Sequence, residues 1–250
     1  MYIIGINAFH GDSSACLLKD GKLVAAAEEE RFRRIKHWAG FPSQSIKWCL
    51  SEAGIKLENV NHIAINQDAK ANINKKILFA LHKRPNFKMI IDRFKNRRRR
   101  LNLKDYILNE FPDSRFNGLF HLVEHHLSHL SSAFHVSPFD QAVTVSVDGF
   151  GDFASTAWGI GEGVKINLEE RIYFPHSLGI FYQALTQFIG FHNYGDEYKV
   201  MGLAPYGKPT FIKHMRQIVK LKLNGNFELN LNYFRHHKEK IEYLWDKGSP

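Results

Sequence analysis

The residues of this chain best suited to chemistry are His125 and His129, four apart in Glu124-His125-His126-Leu127-Ser128-His129, and Asp148, which closes the apolar run Ala142 to Val147. On a helix, residues four apart project from one face, so both imidazoles can meet a single cation. An Asp at the carboxyl end of a strand adds an oxygen donor. Imidazole with carboxylate suits Zn, Fe or Mn better than Ca or Mg, which favour all-oxygen shells. No Glu directly follows His125, which argues against a metalloprotease, whose general base occupies that place. With 14 His in 250 residues such a pair can also arise by chance. The continuation Leu130-Ser131-Ser132-Ala133-Phe134 is rich in small residues and suits close packing on a sheet.

Two turns carry the next set of candidates, His10-Gly11-Asp12-Ser13-Ser14 and Gly149-Phe150-Gly151-Asp152. Gly11, Gly149 and Gly151 would let backbone amides, with Ser13, approach a phosphate without a β-carbon in the way. Gly-Asp is also an ordinary hairpin sequence, and the repetition at equivalent places is what strengthens the phosphate reading. His10 titrates near neutrality and can give a proton, take one from a hydroxyl or polarise a carbonyl. In Glu28-Glu29-Glu30-Arg31-Phe32-Arg33-Arg34-Ile35-Lys36-His37, Arg31, Arg34 and Lys36 can reach a phosphorylated substrate, with surface ion pairing to the three Glu as the competing explanation. The glycines and aromatics of the segment from Asn193 to Gly207 suit a loop that closes over a ligand, with Lys199 set against phosphate and Asp196 and Glu197 against a hydroxyl.

The elements that must hold these residues follow from hydrophobic alternation. Ile3 to Asn7, Ser14 to Leu18 and Leu23 to Ala27 read as strands joined by the turn at Gly11 and the turn Lys19-Asp20-Gly21-Lys22. Val143 to Asp148, Ser155 to Ile160 and a further strand into Leu168 repeat that plan. Between the copies, a helix opens at Pro42 and Ser43 and ends near Gly54, a strand covers His62 to Asn66, and a strand at Leu119 to Val123 delivers the His helix. After the second copy a helix carries Ile180, Phe181, Leu185 and Phe188. Strands then helices, done twice, predict an α/β chain of duplicated actin-like ATPase (ribonuclease H-like) fold, the first half complete and the second partial. The expected division is residues 1–140, with a basic helical insertion at about 70–115, and residues 141–250.

Composition sets the outer bounds. A hydrophobic fraction of 44% and a charged fraction of 24% are those of a globular protein. Cys16 and Cys49 are the only cysteines, which disfavours a disulfide framework and points to a reducing cytoplasm. The first strand begins at Tyr2 with no leader before it, and no apolar run reaches the roughly 18 residues of a membrane span. Much of the net charge of +9 lies in Arg93 to Lys104, including Arg97-Arg98-Arg99-Arg100. No aromatic interleaves with those four Arg, so a solvated basic face is favoured over nucleic-acid binding.

Taken together, Gly5 to Ala15, Glu28-Glu29-Glu30-Arg31-Phe32 with Lys36-His37, Glu124 to His129, Val147-Asp148-Gly149 and Lys199 to Gly207 resemble, in order, the motifs of the NodU/TobZ-type O-carbamoyltransferases. The resemblance runs from Met1 to about Gly207. It implies an actin-like, metal-dependent domain that transfers a carbamoyl group from carbamoyl adenylate, made from carbamoyl phosphate and ATP, to a hydroxyl of a sugar, antibiotic or lipo-oligosaccharide. It further implies Fe2+ or another divalent metal held by His125, His129 and Asp148, with a further Asp from later in the family's chains. His10, with Asp12 in the same turn, takes a catalytic role; Gly11, Ser13, Arg31, Lys36, Gly149, Gly151 and Lys199 bind substrate or nucleotide. Family members are about twice this length and carry a YrdC-like domain that makes the adenylate, so this chain is expected to be a fragment or to receive that domain in trans. A homodimer is compatible with the resemblance. Two other readings belong to the same superfamily: a tRNA threonylcarbamoyl-transfer-like subunit, using the arginine run on RNA, and a sugar or acetate kinase, in which the His helix would have no role.

Overall fold

The computed structural model describes residues 1–83 and 103–238. The arginine run at 97–100, and with it most of the expected basic insertion, lies outside the described residues. Two compact units emerge, residues 1–69 with 103–125 and residues 70–83 with 126–238.

In the first unit, strands β1 (Tyr2–Asn7), β2 (Ser14–Lys19) and β3 (Lys22–Glu28) form an antiparallel meander, and β4 (His62–Ile65) and β5 (Leu119–Leu122) extend it in parallel, giving the order β3-β2-β1-β4-β5. This is the ribonuclease H-like plan expected for a complete half. Alternation puts Ile4, Ile6, Ala15, Leu17, Ile63 and Ile65 on one face, all buried. Short helix α1 (Glu30–Arg33) follows β3, and α2 (Ser43–Glu52) lays Ile46, Cys49 and Leu50 on that face. Each such aliphatic burial contributes about 1.5–3 kcal/mol. Helix α2 ends where Gly54 takes φ 63, with the Ile55 amide bonded back to the Leu50 carbonyl, a Schellman-type stop.

Helix α2 has no side-chain cap of its own. The carboxylate of Glu29, fully buried, accepts instead from the amides of Gln44 (3.2 Å) and Ser45 (2.9 Å), from the Ser45 hydroxyl (2.9 Å) and from Arg33 Nε (2.7 Å). A remote negative charge thus satisfies the first turn of a helix.

The second unit holds α3 (Ile73–Lys83), while α4 (Leu103–Glu110) adds Leu103 and Ile107 to the first unit's core. Helix α5 (His125–Phe134) leads to strands β6 (Gln141–Gly151), β7 (Ala154–Glu162) and β8 (Lys165–Tyr173), an antiparallel meander of order β6-β7-β8 that repeats the plan of β1 to β3. Strand β6 is an edge among the described residues, and Val143, Val145 and Val147 on it are 66, 58 and 55% exposed. Helix α6 (Leu178–Phe188) follows, then α7 (Glu197–Leu203), α8 (Ile212–Ile218) and the small hairpin β9 (Val219–Leu221) with β10 (Phe227–Leu229). The segment from Asn193 to Gly207, expected to be a loop, is therefore largely helical, with a 3-10 turn at Ala204–Tyr206 after α7. The glycines misled, because Asp196 and Lys199 pair across one turn at 2.6 Å and Asn193 donates to Asp196, fixing the helix start.

Candidate metal centre

Helix α5 is set on the sheet by its own first turns. The imidazole of His126, fully buried, has Nδ1 2.8 Å from the Ser146 hydroxyl, and the Thr144 hydroxyl donates to the Leu130 carbonyl at 3.3 Å. A β-carbon at Gly161 would fall 2.5 Å from the Phe134 ring, so only glycine lets β7 pass under the helix there. With His126 turned to β6, His125 and His129 share the adjoining face of the helix, one turn apart.

Asp148 is held by a break in the ladder. The register of β6 with β7 shifts between Val147 and Gly151, so Asp148, Gly149 and Phe150 leave the regular pairing. Asp148 Oδ1 accepts its neighbour's amide, Gly149 N, at 2.6 Å, and Oδ2 lies 3.6 Å from His129 Nε2. The Ser177 hydroxyl, which caps α6 by accepting from Ile180 N, lies 3.0 Å from the Asp148 carbonyl oxygen and 2.8 Å from that of Gly149.

His125 opens α5. Its Nδ1 lies 3.3 Å from the Asn66 carbonyl oxygen. A carbonyl only accepts, so Nδ1 carries the proton and Nε2 is the lone-pair nitrogen. One donor atom from each of His125, His129 and Asp148 lies within 4.8 Å of the others. Two imidazoles and a carboxylate, one ring oriented by a backbone carbonyl, fit a divalent iron, manganese or zinc ion with open positions.

The other candidates fall into two groups. His10 has Nδ1 3.2 Å from the Gly11 carbonyl oxygen, and its ring is 6.0 Å from that of His125, edge-on. Its turn is stapled to the segment after α1: the Ser13 amide donates to the Trp38 carbonyl at 3.0 Å, the Ser13 hydroxyl to that of Gly40 at 2.8 Å, and the Phe9 amide to Gly40 at 3.2 Å. Left-handed backbone in the two turns falls on Phe9 (φ 67), Asp12 (φ 62), Asp152 (φ 47) and Phe153 (φ 76) and not on Gly11, Gly149 or Gly151. A β-carbon at Gly149 would meet open space.

Arg31 is exposed and 3.9 Å from Glu28, and Lys36 is exposed. Lys199 is engaged by Asp196, which raises the lysine above its ordinary range and lowers the carboxyl. Sequence reasoning passed over His37, whose Nδ1 is 2.8 Å from Asp12 Oδ1 and whose amide donates to Glu30 Oε2 at 3.0 Å. It also passed over His126 and Ser177. A Ser immediately before an apolar helix is the one signal that pointed to the last of these.

Comparison with known proteins adds a second line of observation. A family profile described as Carbamoyltransferase N-terminus matches residues 2–245. The chain is 40% identical over 243 residues to the uncharacterized protein sll1178 of Synechocystis sp., covering 94% of this chain and 40% of that protein. It is 35% identical over 227 residues to the nodulation protein NolNO of Sinorhizobium fredii, covering 90% of this chain and 32% of that protein. The chain thus spans less than half the length of these two relatives. Among solved structures, YeaZ from Pseudomonas aeruginosa aligns over 70% of this chain and 68% of its own, with 13% identity and a TM-score of 0.38, a likeness too distant to assign chemistry. Among the described residues no helix is long and apolar enough to cross a membrane.

Proposed function

Because this chain belongs to the carbamoyltransferase N-terminus family, we propose that it carries the carbamoyl-transfer step: a carbamoyl group passes from carbamoyl adenylate, made from carbamoyl phosphate and ATP, to the hydroxyl of a sugar or natural-product acceptor. The observation that carries this reading is the convergence of His125, His129 and Asp148 within 4.8 Å. A divalent metal held there, iron, manganese or zinc by the donor set, would supply Lewis acidity that lowers the pKa of an acceptor hydroxyl.

The chain's own residues do the rest. Asp148 Oδ1 accepts from the Gly149 amide, so Oδ2, 3.6 Å from His129 Nε2, would be the oxygen that holds a cation. His10 Nδ1 faces the Gly11 carbonyl and therefore carries its proton, which makes Nε2 the basic atom. His10 accordingly serves as the base that takes the acceptor's hydroxyl proton at Nε2. The oxygen so exposed attacks the carbamoyl carbon, the bond from that carbon to the phosphate oxygen breaks, and AMP leaves. The Gly11 amide lies in the same turn to receive the phosphate, whereas the Ser13 amide and hydroxyl are spent on the Trp38 and Gly40 carbonyls.

The test supplies the YrdC-like domain in trans and follows radiolabelled carbamoyl phosphate, with ATP, into hydroxyl acceptors. His125→Ala and metal chelation should each cut transfer by at least about a hundredfold, as loss of a Lewis acid does, while the YrdC-like domain still consumes ATP. Transfer indifferent to both would overturn the reading.

A further inference from the structure

We infer that Asp12, Glu30 and His37 form a second divalent-cation site, built entirely within the first unit and distinct from His125, His129 and Asp148. One donor atom from each of the three lies within 4.8 Å of the others. The separation of His37 Nδ1 from Asp12 Oδ1 is 2.8 Å. At that separation Nδ1 donates to the carboxylate, which only accepts, and a cation bound between the two displaces that proton.

The charge around the cluster points the same way. Two basic residues of this segment are engaged by other carboxylates: Arg31 faces Glu28 at 3.9 Å, and Arg33 is bonded to buried Glu29 at 2.7 Å and stacked over the Trp38 ring at 4.6 Å. Among the described residues neither Asp12 nor Glu30 is ion-paired with a lysine or arginine. Two carboxylates therefore flank one imidazole, an arrangement in which an added cation is favoured by Coulomb attraction from both.

The donors are also held in place for it. The His37 amide fixes Glu30 Oε2 at 3.0 Å and leaves the second oxygen of that carboxylate for a cation. Asp12 and His37 both sit in left-handed backbone, at φ 62 and φ 56, kept there by the bonds that tie Ser13 to Trp38 and Gly40. The side chains of Asp12 and His37 are 47% and 27% exposed, so open positions face solvent and can take water or the oxygen of an anion. One nitrogen with two carboxylates is a harder set than two nitrogens with one, which selects Mn2+ at this site.

The experiment is Mn2+ titration of metal-stripped protein, with free Mn2+ followed by electron paramagnetic resonance and no substrate present. Two equivalents should bind to the wild-type chain and one to the His125→Ala/His129→Ala double variant. Glu30→Gln, which still accepts the His37 amide, should weaken one wild-type equivalent by at least about tenfold with its unfolding temperature unchanged. The site is refuted if the folded double variant binds no Mn2+, or if Glu30→Gln leaves both equivalents at wild-type affinity. Because no carbamoyl donor enters this measurement, its failure would leave the transfer reading standing, and the converse holds too.

Discussion

Gly179 lies against the main chain of Asp148 with no room for a methyl group: a β-carbon there would fall 2.7 Å from the Asp148 carbonyl carbon and oxygen and 2.7 Å from Gly149 N. The first turn of α6 is thereby seated on the residue that offers Oδ2 to His129. Gly179→Ala must push the two backbones apart, at about 1–3 kcal/mol. Its larger effect is on position, and metal affinity should fall at least tenfold while the protein stays folded. Calorimetric titration of Fe2+ or Mn2+ beside a thermal melt separates the two effects; unchanged affinity would show that Asp148 does not depend on α6.

Ser146→Ala probes the helix instead of the strand. It deletes the partner of buried His126 Nδ1. Losing that bond should cost about 1–3 kcal/mol, and by loosening the seat of the helix that carries His125 and His129 it should weaken metal binding as well. Ser146→Thr, which keeps the hydroxyl, should recover most of the affinity. Equal loss in both variants would mean that packing, not the bond, sets the helix.

Glu29→Ala should be among the most damaging substitutions in the first unit. It removes four hydrogen-bond acceptances at a fully buried carboxylate and takes away the anion facing Arg33. Breaking a buried pair this way costs about 3–5 kcal/mol. Urea unfolding would read it, and a loss below about 1 kcal/mol would contradict the capping role assigned to Glu29.

Acid sensitivity should trace in part to His236. Burial pushes this imidazole below its ordinary value, and it packs against Phe150, Phe174 and Phe234 while donating from Nε2 to the Pro175 carbonyl at 2.8 Å. The folded state resists the proton that the unfolded chain accepts below the ordinary imidazole value of 6.5. The group's contribution is therefore full above that pH and declines as pH falls through the depressed folded pKa. Chemical denaturation at pH 7.5 and 5 should show His236→Phe losing less stability over that interval than the wild type. A parallel decline would place the acid sensitivity elsewhere.

The thiols should be inert in the native protein. Burial raises Cys16 and pushes Cys49 up to about 11, and neither forms a disulfide. Thiolate is the reactive form, so iodoacetamide at pH 8 should label both only on unfolding, as mass spectrometry would record.

Alternation and turn residues made most of the fold readable. Ile4, Ile6, Ile63 and Ile65 announce their strands by period two, and the recurrence of strand, turn and hairpin announces the second meander. The helical spacing of His125 and His129 likewise needs nothing beyond local geometry. What stayed hidden depends on chain segments that return from a distance. Asp12 meets His37 across 25 residues because the Trp38 and Gly40 carbonyls fold back onto Ser13, and no periodicity encodes that return. Helix α7 was obscured because Gly195, Gly202 and Pro205 are breaker residues, whereas its start is set by the Asp196–Lys199 pair.

The valine row of β6 has a practical consequence for anyone handling the protein. Among the described residues β6 is an eleven-residue edge strand, and with Val143, Val145 and Val147 exposed it is a template for strand-on-strand association. Solutions of the chain should therefore grow turbid as concentration rises. A lysine at Val145 should delay that onset without touching either set of candidate metal donors.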